Sequence, residues 1–195
     1  VYLELAERFE DAYDDAPDEE WYEPARLELD NWRAALEWSL GQRNAIEVGQ
    51  RLAASLAQVW HNLAPPEGRR WVRLGMQLVD DDTRPDVIPH LEFAGASSSF
   101  GLGEADAALL EAQRAYAGYE ALGDTLGMVR SRWLVGQALS YVGRPDEGRP
   151  LLQDAFAIAS GLGRRRLTAL ILVNLVHALS LADCDPRELR GAYGK

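Results

Sequence analysis

Three histidines, His61, His90 and His177, are the residues of this chain best suited to acid–base work or metal binding near neutral pH. No serine or cysteine nucleophile has a recognisable partner beside them. Asp80-Asp81-Asp82 could attract a cation, yet the run lacks the alternating oxygen-ligand spacing and the glycine of a calcium loop. Acids are also unfavourable at a helix C-terminus, so a helix ending near Val79 and a solvated acidic loop are expected. Gly101-Leu102-Gly103 opens like a dinucleotide fingerprint, but no third glycine follows and a helical pattern precedes it. It reads as a helix-to-helix turn. The phosphate-binding pattern G-x-x-x-x-G-K-[ST] does not occur. The expectation is therefore no catalysis, no metal and no cofactor.

The elements that must position these residues are helices. Residues 1–13 carry Leu5, Phe9, Ala12 and Tyr13 on one side, and residues 14–23 form an acidic connection. Pro24 suits the first turn of a second helix, on which Leu29, Trp32, Leu36 and Leu40 recur down to Gly41. Further helices are expected at about 44–63, 66–80, 85–101, 104–122, 124–142, 145–161 and 164–182, with an incomplete one near 186–193. Gly101, Gly103, Gly123, Gly143, Gly161 and Gly163 mark stops, and Pro85 and Pro145 mark starts.

The chain resembles itself at a period of 40 residues. A shift of that length places Gly103 on Gly143, Asp106 on Asp146, Gln113 on Gln153, and Ala115-Tyr116-Ala117 on Ala155-Phe156-Ala157. Such a period means a helical repeat, which stacks units into an extended binding surface. Small residues fill the columns Gly68, Ala108, Gly148 and Gly75, Ala115, Ala155, where two helices must approach closely. Met76, Tyr116 and Phe156 follow the second column and suit the space between units.

On the first helix of the third unit, Arg130, Trp133, Gln137 and Tyr141 form a stripe apart from Val135 and Leu139. Its equivalents are His90, Phe93, Ser97 and Gly101 in the second unit, and Gln50, Ala53, Ala57 and His61, beside Trp60, in the first. The fourth supplies Leu170, Val173, His177 and Leu181. All three histidines fall on this stripe. His61 and His177 lie three units apart, and each packed helix adds roughly 8 to 10 Å. They cannot share one metal ion. Each is either an ordinary hydrogen-bonded histidine or part of a ligand groove with aromatic walls and a few polar groups.

Charge is unevenly placed. The net charge is -11, but residues 1–41 hold 13 acids against 3 arginines, while the rest is nearly neutral. An acidic front end disfavours phosphate backbones, so no direct nucleic-acid binding is expected. Arg164-Arg165-Arg166, the one basic run, reads as a solvated helix end. Cys184 stands alone, so no internal disulfide is possible and the cytoplasm is the default. Residues 167–182 are the longest apolar stretch, yet they are short of a membrane span and include Asn174 and His177.

Glu28-Leu29-Asp30-Asn31-Trp32-Arg33-Ala34-Ala35-Leu36-Glu37-Trp38 resembles the E-x-D-N-x-R-A-A-L-x-W segment of bacterial STAND-type signalling ATPases and regulators. Tyr2-Leu3-Glu4-Leu5-Ala6-Glu7 is similar to the helix that enters that segment. In that family the segment joins a nucleotide-binding and winged-helix region to a C-terminal tetratricopeptide array. Parents include transcriptional regulators with winged-helix or LuxR-like domains. The resemblance implies an all-α fold: an acidic helical linker, 1–41, and a tetratricopeptide-like superhelix, 42–195, with units at about 44–83, 84–123, 124–163 and 164–195. The unit is longer than the usual 34 residues, and the first-helix small position reads Leu56, Ala96, Gly136, Val176. HEAT-like repeats are the alternative.

Asp30 and Asn31 are poor interior helix residues, so they are expected to bond a neighbouring segment. The resemblance also implies a non-catalytic sensor or scaffold arm that binds a protein partner or small effector and restrains its own ATPase and output domains. A free-standing adaptor is the competing reading. On tetratricopeptide precedent the stripe lines the concave face, giving Trp60, His61, His90, Phe93, Ser97, Arg130, Trp133, Gln137, Tyr141 and His177 as binding candidates. The last helix carries Leu172, Val176 and Leu179 among apolar residues around much of its circumference. Either further repeats beyond Lys195 or a homodimer through the C-terminal helices is expected to cover it.

Overall fold

The computed structural model describes residues 1–182. Ten α-helices and no strand occur among the described residues. The helix expected near 186–193, and Cys184, lie outside them. Helices α1 (Tyr2–Tyr13) and α2 (Asp18–Leu36) precede a run of further helices: α3 (Ile46–Ser55), α4 (Ala57–Leu63), α5 (Pro65–Gln77), α6 (Val87–Gly101), α7 (Ala105–Leu122), α8 (Thr125–Tyr141), α9 (Pro145–Gly161) and α10 (Arg165–Ala182). From α5 onward each helix packs chiefly on its sequence neighbours. The first helices of successive units, α3/α4, α6, α8 and α10, also touch in turn.

The regularity is set by the turns. Gly103, Gly123, Gly143 and Gly163 all adopt φ between 69° and 78°, a left-handed conformation that a side chain would oppose. They recur every 20 residues, once per helix. The small columns are buried as expected, and Gly148 lies so close to α8 that a Cβ would sit 2.5 Å from the Gly136 carbonyl oxygen.

Three local expectations need correction. Helix α2 begins at Asp18, so Pro24 lies inside it and not in its first turn. Its start is drawn back by Trp21, which is 2 % exposed and donates from Nε1 to the Phe9 carbonyl at 3.0 Å. The helix expected to run on to Gly41 changes to a π-helical turn over Glu37–Gly41. The Ser39 hydroxyl takes the Ala35 carbonyl at 2.7 Å, and the Gln42 N–H reaches back to Glu37. The helix expected over 44–63 breaks at Leu56, because the buried Trp60 indole donates to the Ala53 carbonyl at 2.8 Å and inserts into the helical ladder. The first-helix column is not uniform either: Leu56 and Ala96 are fully buried and Gly136 packs on α9, whereas Val176 is 55 % exposed. Among the described residues no helix follows α10 to cover that position.

Nor do Asp30 and Asn31 dock a neighbour. Asp30 pairs with Arg33 and Asn31 donates to Glu28, all within α2. The link to the repeats is made by Arg33, which also grips Glu67 on α5.

Candidate functional site

Helix α1 packs on α3 and α4 and reaches across to α8 and α10. The helix carries Glu7, Glu10 and Asp14 at one-turn and two-turn spacings, so they fall on one side, while Leu5, Phe9 and Tyr13 serve the core. Glu7 pairs with Arg51 on α3. Arg130 on α8 donates to Asp14 Oδ2 at 2.7 and 3.1 Å and to Glu10 Oε1 at 3.1 Å. Burial by itself would disfavour the Arg130 charge, but Asp14 and Glu10 reverse that and hold it protonated. The two carboxylates share one guanidinium, and burial pushes Glu10 above the usual carboxylate range despite the opposing pull of Arg130 and His90.

The same end of α1 seats α10. The Arg166 and Leu167 N–H groups donate to the Asp14 carbonyl at 2.8 and 3.3 Å. Arg164 and the Arg165 N–H donate to the Asp15 carboxylate, placing an anion at a helix N-terminus. The Arg166 guanidinium lies 3.9 Å from the Tyr13 ring centre. Arg164 and Arg166 thus dock the helix start on α1, which corrects the solvated reading for them, while the Arg165 side chain is exposed as that reading has it.

The expected stripe is correspondingly divided. Trp60 is fully buried and Phe93, Ser97, Arg130 and Trp133 are at least nine-tenths buried, so none of these offers an open surface. Arg130 is committed to α1. His90 lies apart, its Nδ1 3.0 Å from the Asp86 carbonyl, in a cavity of about 330 Å³ shared with Glu7, Glu10 and Arg51. His61 and His177 end a file of rings that crosses all four units. His61 stacks on Phe100, Phe100 meets Tyr141 edge-on, and Tyr141 lies over His177, with centres 6.0, 5.1 and 5.4 Å apart. Tyr141, 37 % exposed, is the most open of the candidates that the structure reports exposed.

One cavity gathers much of what remains. It measures about 180 Å³ and lies where α2 and the end of α1 meet α4, α6, α8 and α10. Its aromatic walls are Tyr13, Tyr22, Phe93 and Trp133, and its amides are Gln58, Asn62, Gln137 and Asn174, with His61, Ser97 and Arg166 beside them. Tyr22 donates to Asn62 Oδ1 at 2.8 Å across the seam. His61 Nδ1 lies 3.1 Å from the Ser97 carbonyl, which can only accept, so Nδ1 carries the proton and Nε2 is left as an acceptor. Burial lowers the His61 pKa below its ordinary value and keeps the ring neutral.

Sequence reasoning found His61, Phe93, Ser97, Trp133 and Gln137 but missed Tyr13, Tyr22, Gln58, Asn62 and Arg166. The available signal was polar residues at Gln58 and Asn62, one turn apart on a largely apolar helix. With residues 1–41 read as a separate linker, nothing indicated that two tyrosines would close the cavity. No protein-family model matches the chain, and no curated protein or solved structure matches it.

Proposed function

We propose that this chain is a non-catalytic helical-repeat binding module, the sensor or scaffold arm of a STAND-like regulator, working in the cytoplasm without direct contact to nucleic acid. It would take a protein partner or small effector on the inner side of a tetratricopeptide-like array and pass the event to attached ATPase and output domains. One observation carries the reading: the inner-side cavity is walled jointly by the repeats and by α1 and α2, the helices that resemble the family's linker. An occupant there touches both bodies at once. Its amides and rings suit holding more than bond-breaking.

The test is made in the parent regulator. Asn62→Ala and Tyr141→Ala should uncouple ATP turnover from its activating signal while leaving basal turnover intact. Unchanged regulation in both variants would remove the inner side from the reading. A free-standing adaptor is the other possibility, and the flanking coding sequence separates the two: a phosphate-binding loop and winged helix upstream of Val1 favour the arm, an initiator methionine within a few residues the adaptor.

A further inference from the structure

Gln58 is nine-tenths buried and Gln137 half-buried, both line the seam cavity, and each side-chain amide opens to that space and makes no hydrogen bond to another described residue. The Trp133 indole N–H, on a third lining residue, is also unpaired. Buried polar groups are ordinarily satisfied, and leaving them unmade is costly. A buried unpaired indole N–H and two uncommitted amides that open on one space mark where partner atoms belong.

The chemistry of those atoms follows from the lining. No carboxylate lines the cavity, and His61 is neutral, so a cation has no counter-charge there; the Arg166 guanidinium is taken up by the Ala16 carbonyl and the Tyr13 and Trp21 rings, so an anion is not called for either. Primary amides each offer a donor and an acceptor side by side, which match a ligand edge that alternates the two. His61 Nε2 adds an acceptor and Trp133 a donor. Four aromatic side chains favour a flat ring over a puckered one. A volume of about 180 Å³ is the space of about six waters, the size of one or two fused small rings.

We propose that the seam cavity binds an uncharged, planar heterocyclic amide or amidine of nucleobase size, and that this ligand clasps α1 and α2 to the repeats. The clasp follows from the walls: Tyr13 and Tyr22 come from α1 and α2, the rest from the repeats. A ligand that binds only the closed seam stabilises it by mass action. This deepens the reading above and rests on it only for the link to signalling.

The experiment titrates the chain with adenine, guanine, uracil and nicotinamide, with benzoate and glucose alongside, by calorimetry and thermal melting. At least one of the first four should bind saturably and raise Tm. Gln58→Met and Gln137→Met should each weaken that binding about tenfold while leaving the Tm of the unliganded protein unchanged or higher, because they remove an unpaired polar group. Silence from all six compounds at millimolar concentration would mean a water-filled cavity and overturn the proposal. Binding of glucose or benzoate alone would overturn the ligand class. A lower unliganded Tm in both variants would make the amides structural and overturn it equally. If a heterocycle binds while the parent's regulation ignores Asn62→Ala and Tyr141→Ala, the site stands and the signalling reading falls; if those variants uncouple regulation while no heterocycle binds, the reverse holds.

Discussion

Helices α8 and α10 occupy the same place in successive units, and their fates differ. Val135, Gly136 and Leu139 on α8 are buried against its neighbours, and Leu152 of α9 fills the space over Gly136. Their counterparts on α10 are Leu175, half-buried, and Val176 and Leu179, 55 % and 43 % exposed. At their N-terminal ends both helices dock on Asp14, α8 through the Arg130 side chain and α10 through backbone N–H groups. Corresponding positions thus become core or surface according to what packs over them. The acidic front helix, by contrast, reaches both.

The largest expected effect tests that shared anchor. Arg130→Met leaves Asp14, 1 % exposed, without its cation and should cost about 3–5 kcal/mol in urea melts. Leu170→Met at the equivalent place on α10 should cost less than about 1.5 kcal/mol. Equal losses would show that α1 is held by something other than the ion cluster.

A second pair addresses the covered and bare faces. A Cβ at Gly136 would lie 2.7 Å from Leu152 Cγ and 3.0 Å from the Gly148 carbonyl oxygen, so Gly136→Val should cost about 1–3 kcal/mol by overpacking. A neutral result would mean that α8 and α9 can separate freely, and the contrast with α10 would lose its basis.

The third expectation is a pH dependence in the cavity next to α8. The folded pKa of His61 lies below its ordinary value of 6.5 because burial disfavours the cation. Its contribution to stability is therefore fully present above pH 6.5 and is lost as pH falls through the folded value. His61→Asn should flatten this part of the stability profile below pH 6.5. A slope unchanged from wild type would place its source elsewhere.

The smallest effect belongs to α10. Leu172→Glu and Val176→Glu alter exposed positions and should change stability by no more than about 0.5 kcal/mol. If a second copy covers this face, light scattering should show the wild type associating and both variants monomeric. A large loss of stability would mean that the face is already packed.

Much of the fold was legible because repetition averages out local ambiguity. Gly103, Gly123, Gly143 and Gly163 announced the turns on conformational grounds alone, and the small columns announced close helix approach. Where a buried tryptophan competed with local rules, the sequence misled: Trp21 drew α2 back past Pro24, and Trp60 broke the helix at Leu56. The candidate site was legible only in part. Stripe periodicity found His61, Ser97, Trp133 and Gln137, but it cannot distinguish a residue facing a groove from one facing another helix.

What the sequence determined by itself is what depends on neighbours in the chain: helix periodicity, left-handed glycines, small-residue columns and the acidic side of α1. What tertiary structure decided is which faces are closed. Burial depends on segments far apart in the chain, and Arg130 meets Asp14 across 116 residues of it. An expected binding stripe became the seat of the front helix because a guanidinium and a carboxylate, each costly to bury singly, are stable there only as a pair.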